Sequence, residues 1–251
     1  MRADQPLGLL LLFLAAILGG GLNGLAGGGS FVVFPALIFT AVPPVNANAT
    51  STVALWPASL TAANAYRKEL AQDHDLRLLL VVSVLGGLGG ALLLLHSSQS
   101  FFRHFVPFLM LGATALFALG PRISKARAEH AAPRGLVALL QAPISIYGGY
   151  FGGGMGIMML ALYSSIGASD YHFANARKNL LATVTNGIAV LTFIVAGAVV
   201  WLPAVIMLFG SALGGGLSVV IARRIDQRVV RPVVVLIGLV MSIYLLITAG
   251  F

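Results

Sequence analysis

The sequence predicts an all-α, polytopic helical bundle of the inner-membrane kind, built from two inverted repeats, each a re-entrant helical hairpin plus three full transmembrane helices. Three observations predict it: the composition is too apolar for a water-facing surface, glycine triplets recur half a chain apart, and the basic residues crowd into alternate loops.

Of 251 residues, 59% are apolar and 9% charged, whereas a soluble domain of this length carries about a quarter charged residues to cover its core. Asp and Glu total 7 and Lys and Arg 15, too few to wet such a surface, so the expected partner is a lipid bilayer. A net charge of +8 suggests nucleic acid only where a basic face carries interleaved aromatics. Here the charges form short clusters between apolar runs, and no nucleic-acid partner is expected. The absence of cysteine excludes disulfides, thiolate metal sites and cysteine nucleophiles; no metal or other cofactor is expected.

Apolar runs extend over Leu7–Ala26, Leu76–Leu95, Phe105–Leu119, Leu136–Gly149, Leu180–Leu208 with a break near Trp201 and Pro203, and Val233–Ala249. Most approach the ~20 residues that cross a hydrocarbon core, and none alternates as a barrel strand does. The less apolar stretch from Asn46 to Tyr66 reads as a polar-lined transmembrane helix. Leu7–Ala26 is longer than the apolar part of a signal peptide and is read as a retained helix.

The second half repeats the first. Residues 23–30, NGLAGGGS, align with 148–155, GGYFGGGM; 47–52 align with 174–179; Leu85-Gly86-Gly87 aligns with Leu213-Gly214-Gly215. The division expected is 1–125 and 126–251 within a single membrane domain. A short apolar run follows each triplet, Phe31–Val42 and Gly156–Ile166, which as helix reaches about 17 Å, half a bilayer core. If each run returns to the side it came from, thirteen of the Lys and Arg residues face one side and two, Arg2 and Arg103, the other. If the runs do not return, the division is eight against seven. The positive-inside rule therefore favours hairpins, inverted halves and both termini outside the cytoplasm.

Gly27, Gly28, Gly29 and Gly152, Gly153, Gly154 fall where each hairpin reverses, at membrane depth. Irregular backbone there must be buried in protein or line a cavity, and its amides and carbonyls become ligand groups; tight helix packing is the plain alternative. For Gly86, Gly87, Gly89, Gly90 and Gly214–Gly216, inside unbroken runs, small-residue packing is the expectation. The helix after each hairpin opens with a polar cluster: Asn48, Thr50, Ser51 and Thr52 in one; Asn175, Arg177, Lys178 and Asn179 in the other. If the second starts near Tyr171, capped by Ser169 or Asp170, Arg177 lies about 9 Å along it. Cations within a span are costly and face a cavity or partner, and the seven carboxylates all lie in loops or helix ends. That pattern points to a small anionic substrate, with snorkelling to headgroups as the alternative for both cations. Trp56 and Trp201 fit either pocket walls or interface anchors.

GLAGGGSFVVFP (Gly24–Pro35) followed by NATS (Asn48–Ser51), and GGYFGGGMGIMM followed by ANARKN in the second half, resemble the sulfite exporter TauE/SafE family of bacterial membrane proteins over essentially the whole chain. The resemblance implies multi-pass residence in the bacterial cytoplasmic membrane and export of a sulfur-containing anion such as sulfite, sulfoacetate or another organosulfonate. Carried over by position, it places Gly27, Gly28, Gly29 and Ser30 at one hairpin tip with Asn48, Thr50 and Ser51 beside it, and Gly152, Gly153, Gly154, Asn175, Arg177 and Asn179 opposite. Met155 stands where the first half has Ser30, making the site hydroxyl-lined on one side and cationic on the other. An anion channel, or an importer of a related oxyanion such as thiosulfate, is the competing reading. An enzyme is not expected, since no base accompanies Ser30 and no metal cluster is present in the sequence.

Overall fold

The computed structural model describes residues 2–26, 28–65, 76–125, 133–165, 171–221 and 227–249. Among these there are ten helices and no strand: α1 (Pro6–Ala26), α2 (Ser30–Phe39), α3 (Pro44–Ala65), α4 (Leu76–His96), α5 (Gln99–Lys125), α6 (Arg134–Tyr150), α7 (Met155–Ser165), α8 (Tyr171–Val195), α9 (Trp201–Ile221) and α10 (Gln227–Ala249). Stretches of α1, α4 and α8 are long and apolar enough to cross a membrane: Pro6–Asn23, Leu76–His96 and Phe173–Val195. Leu7, Leu10, Leu14 and Leu18 are exposed along one stripe of α1, the 3.6-residue periodicity turned outward. Water would penalise that stripe and lipid does not.

Several helices extend beyond their apolar runs, α10 among them with its start at Gln227, and two of the displaced boundaries show their cause in hydrogen bonds. α5 begins at Gln99, ahead of its apolar run, because the Ser98 hydroxyl accepts the Phe101 amide at 3.1 Å and caps the helix. The expected break at Trp201 falls earlier. There α8 closes on Gly197 (φ +66), with the Gly197 amide on the Ile194 carbonyl and the Ala198 amide on that of Phe193. This left-handed cap needs glycine, and Trp201 starts the next helix.

α1 with α2, and α6 with α7, form antiparallel hairpins. In the first, Gly29 approaches the Gly19 carbonyl and Asn23 so closely that a Cβ would collide. Residues 40–43, after α2, line a cavity of about 440 Å³ together with Arg2, Ala3 and Asp4, before α1. In the second, Gly148 lies against Met155, and the Tyr163 hydroxyl near the far end of α7 donates to Gln141 Oε1 of α6 at 2.7 Å.

Between residues 1–125 and 126–251, α1 lies on α9 and α4 on α6, α3 lies on α9 and α8 on α4, α2 meets α10 and α7 meets α5, while α3 pairs with α8 and α5 with α10. The closest crossings are made of glycine. A Cβ on Gly90 would strike the Ile146 carbonyl and Tyr150 amide of α6, and one on Gly214 the Ile17 carbonyl of α1, whereas Gly89 and Gly216 have nothing within 4 Å. The larger apolar core sits between the hairpins, with Phe34 edge-on to Phe102 and Phe151.

Side-chain bonds join elements at one end of the bundle. Asn46 Nδ2 donates to the Ala198 carbonyl at 2.9 Å, Gln99 Nε2 to Asn46 Oδ1 at 3.0 Å, the Val45 amide to Gln99 Oε1 at 2.8 Å, and the Val200 amide to Thr50 Oγ1 at 3.0 Å. The starts of α3 and α5 are thereby tied to the α8–α9 link.

Gly90→Ala therefore lowers stability by about 1–3 kcal/mol, the usual cost of overpacking, while Gly89→Ala leaves it unchanged or slightly higher. Thermal unfolding in detergent checks both, and equal melting temperatures would contradict the crossing.

Candidate functional site

The second triplet forms the link between α6 and α7. Gly152 has φ +77 and Gly154 φ +81, conformations that L side chains adopt at a cost. The Phe151 amide makes the last ordinary helical bond of α6, to the Tyr147 carbonyl at 2.9 Å, and the helix ends there because the Gly152 amide turns back to that same carbonyl at 3.3 Å. Two side chains then hold the freed backbone: Asn48 Nδ2 of α3 donates to the Tyr150 carbonyl at 3.0 Å, and the Tyr147 hydroxyl donates to the Gly153 carbonyl at 2.7 Å. Gly153 and Gly154 are buried, so these bonds satisfy oxygens that water does not reach.

The structure thus brings Asn48 to the second triplet, although it follows the first in sequence. Its neighbours are engaged locally. The Ser51 hydroxyl donates to the Asn48 carbonyl at 2.9 Å within α3, and Thr50, fully buried, accepts the Val200 amide. Of the first triplet, Gly27 lies outside the described residues, Gly28 and Gly29 are buried in the α1–α2 link, and Ser30 opens α2 partly buried. Asn23, at the end of α1, reaches Ser59 Oγ of α3 at 3.4 Å.

On α8, whose expected caps Ser169 and Asp170 lie outside the described residues, the two cations diverge. Arg177 is 7% exposed, with its guanidinium carbon 5.5 Å from the Tyr163 ring centre and 4.9 Å from that of Phe173. A guanidinium over two aromatic faces gains from both ring quadrupoles, more so when desolvated. Lys178 is partly buried, and its Cδ lies 3.7 Å from where a Cβ would project from Gly156, in the first turn of α7. Successive helical residues point about 100° apart, so Arg177 turns to the far end of α7 and Lys178 to its start. Asn175 and Asn179 are partly buried, and the Asn179 carbonyl accepts the Thr183 hydroxyl at 2.7 Å.

Behind Arg177 runs a buried polar chain that sequence reasoning missed. The Tyr163 hydroxyl donates to Gln141 Oε1 at 2.7 Å, and Gln141 Nε2 donates to Ser145 Oγ at 2.9 Å and Ser83 Oγ at 3.2 Å. All four side chains are buried. One signal was available: Gln141 is an amide inside an otherwise apolar run. Trp56 is also settled. Its Nε1 donates to the Thr183 carbonyl at 3.1 Å, and its ring packs on Gly187, making it part of the α3–α8 contact, whereas Trp201 is 53% exposed. Among the described residues the one carboxylate side chain is that of Asp4, and no cluster of three or more His, Asp or Glu residues fit for a metal occurs.

The family described as Sulfite exporter TauE/SafE matches residues 12–245. The chain is similar to the Probable membrane transporter protein YfcA of Escherichia coli strain K12, 29% identical over 246 residues that cover 96% of this chain and 91% of that protein. It is similar to a Probable membrane transporter protein of Haemophilus influenzae, 27% identical over 246 residues covering 97% and 96%. A third relative is the Probable membrane transporter protein ORF9 of a Sinorhizobium species, 26% identical over 241 residues covering 95% and 92%. No solved structure matches.

Replacing Gln141 with Leu removes its three buried hydrogen bonds, with Tyr163, Ser145 and Ser83, each loss costing about 1 kcal/mol. A melting temperature several degrees lower is expected, and an unchanged one would show that the chain contributes no stability.

Proposed function

Since the chain belongs to the sulfite exporter TauE/SafE family of membrane transporters, we propose that it is a secondary transporter that exports a small sulfur-containing anion, such as sulfite, sulfoacetate or another organosulfonate, by alternating access. In this reading residues 1–125 and 126–251 are inverted repeats in the cytoplasmic membrane, with both termini on the periplasmic side. The helix pairing supports the repeat. Exchanging α1–α5 for α6–α10 turns the α1–α9 contact into α6–α4, α3–α9 into α8–α4 and α2–α10 into α7–α5, and returns α3–α8 and α5–α10 to themselves. The loop charges support the orientation.

The observation that carries the substrate class is the pair of cations inside α8, Arg177 buried against two rings and Lys178 on the first turn of α7. Charge within a span is expensive and marks a transport pathway, and helix N-termini offer positive ends to anions. Arg177 holds the negative group, while Lys178, at the opposite end of α7, adds positive potential along the pathway. Export by a carrier, rather than passage through a channel, predicts saturable anion flux from proteoliposomes without unitary conductance in planar bilayers.

Arg177→Ala is expected to abolish stabilisation by sulfite or sulfoacetate in a thermal-shift titration, and Arg177→Lys to restore little of it, because an ammonium lacks the planar fork and ring stacking of a guanidinium. Wild-type ligand response in Arg177→Ala would refute its role.

A further inference from the structure

The geometry points to a binding site for a small monovalent cation, Na⁺ in the first instance, at the broken end of α6, formed by the Gly148 carbonyl, Asn186 Oδ1 and Thr185 Oγ1. In a continuing helix the Gly152 amide would bond the Gly148 carbonyl; here it donates to Tyr147 instead, so that amide leaves the Gly148 oxygen. The point where a Cβ would project from Gly152 lies 3.4 Å from that oxygen and 3.7 Å from Asn186 Oδ1. Two acceptors therefore look into one small volume.

Asn186 Oδ1 and Thr185 Oγ1 are buried and have no hydrogen-bond partner. Thr185 is fully buried, and its methyl lies 3.1 Å from where a Cβ would project from Gly148, so it packs on the same turn. Among the described residues one other buried side-chain oxygen, Thr114 Oγ1, is in this condition, and it sits against Gly238 of α10. Two buried oxygens without a donor, on consecutive residues of α8 and one of them bordering the same volume as the freed carbonyl, form a set that a cation satisfies.

The chemistry selects the cation. Every ligand is a neutral oxygen, which suits a hard ion, and none is a carboxylate, as calcium and magnesium sites ordinarily supply. The C-terminal end of α6 adds the negative pole of its dipole, and unwound carbonyls at half-helix C-termini are a recurrent ligand for Na⁺ in transporters.

The first half is built differently at the aligned positions. Asn23 aligns with Gly148 and Ser59 with Asn186, and Asn23 Nδ2 donates to Ser59 Oγ. There a side-chain amide provides the donor, whereas in the second half the asparagine has moved to α8 and the hairpin offers backbone oxygen. The site therefore belongs to the second half. It lies eight residues along α8 from Arg177, about 12 Å, so a bound cation offsets part of the charge of an anion held there. This last step rests on the proposed substrate, and the cation site itself does not.

The test is thermal unfolding of the purified full chain in detergent with NaCl or choline chloride at equal ionic strength, first without and then with sulfite. Without sulfite, Na⁺ is expected to raise the wild-type midpoint by about 2 °C or more at saturation. Asn186→Ala and Thr185→Val lose that shift, and Asn186→Asp, which keeps the oxygen, retains it. Equal midpoints in Na⁺ and choline for the wild type, or an undiminished shift in Asn186→Ala, would overturn the site. Should Asn186→Ala fail to fold, saturable binding of ²²Na⁺ to the wild type and its loss in Thr185→Val decide, and absence of wild-type binding overturns it. A Na⁺ shift with no response to sulfite would leave the cation site standing and count against the proposed substrate alone.

Discussion

A backbone broken among apolar side chains must find new partners for its freed polar groups, and the arrangement of this protein follows from that constraint. Each unpaired amide or carbonyl out of reach of water costs about 1–3 kcal/mol or more. The α6–α7 link meets the demand with side chains from two elements: Asn48 from α3 for the Tyr150 carbonyl, and Tyr147 from α6 for that of Gly153. The first of these fixes α3 against a hairpin that lies about a hundred residues away in sequence. The glycine crossings of α4 on α6 and α9 on α1 serve the same end, because hairpins held at backbone contact leave no gap around the break.

Much of this was legible in the sequence, for a physical reason. Helix spans depend on local apolar length, and the short runs after the glycine triplets are too brief to cross a bilayer, so both hairpins and most helix positions could be read directly. Gly86, Gly87, Gly90 and Gly214 were read as packing glycines, and each abuts backbone of another helix. Gly89 and Gly216 share their motif and face open space, because a tripeptide carries no information about which side of a helix meets a neighbour.

The long-range partners were not legible. Asn48 follows the first triplet and binds the second. Thr50 and Ser51 look like free hydroxyls, yet one receives the Val200 amide and the other bonds within α3. The Tyr163–Gln141–Ser145–Ser83 chain joins α7, α6 and α4 through single residues spread over eighty positions, and of these only Gln141 stands out from its surroundings. Arg177 and Lys178 were conspicuous as cations, but their divergence, one to an aromatic pair and one to the start of α7, depends on helical phase relative to a neighbour that sequence does not specify.

The ties among Asn46, Gln99, Ala198, Val45, Val200 and Thr50 have a mechanical meaning. A passage opening between α3 and the α8–α9 link has to part the Asn46–Ala198 and Thr50–Val200 bonds, and net values near 1 kcal/mol each make that a modest, reversible cost. At the other contact between α3 and α8 the corresponding bonds run from Trp56 to the Thr183 carbonyl and from the Thr183 hydroxyl to the Ser59 carbonyl, about two and a half turns deeper along α3. α3 is thus riveted at two heights, once to the α8–α9 link and once to α8. A rocking motion that releases one rivet while keeping the other has a ready-made pivot, and the stiffness of that pivot sets how far either end can swing.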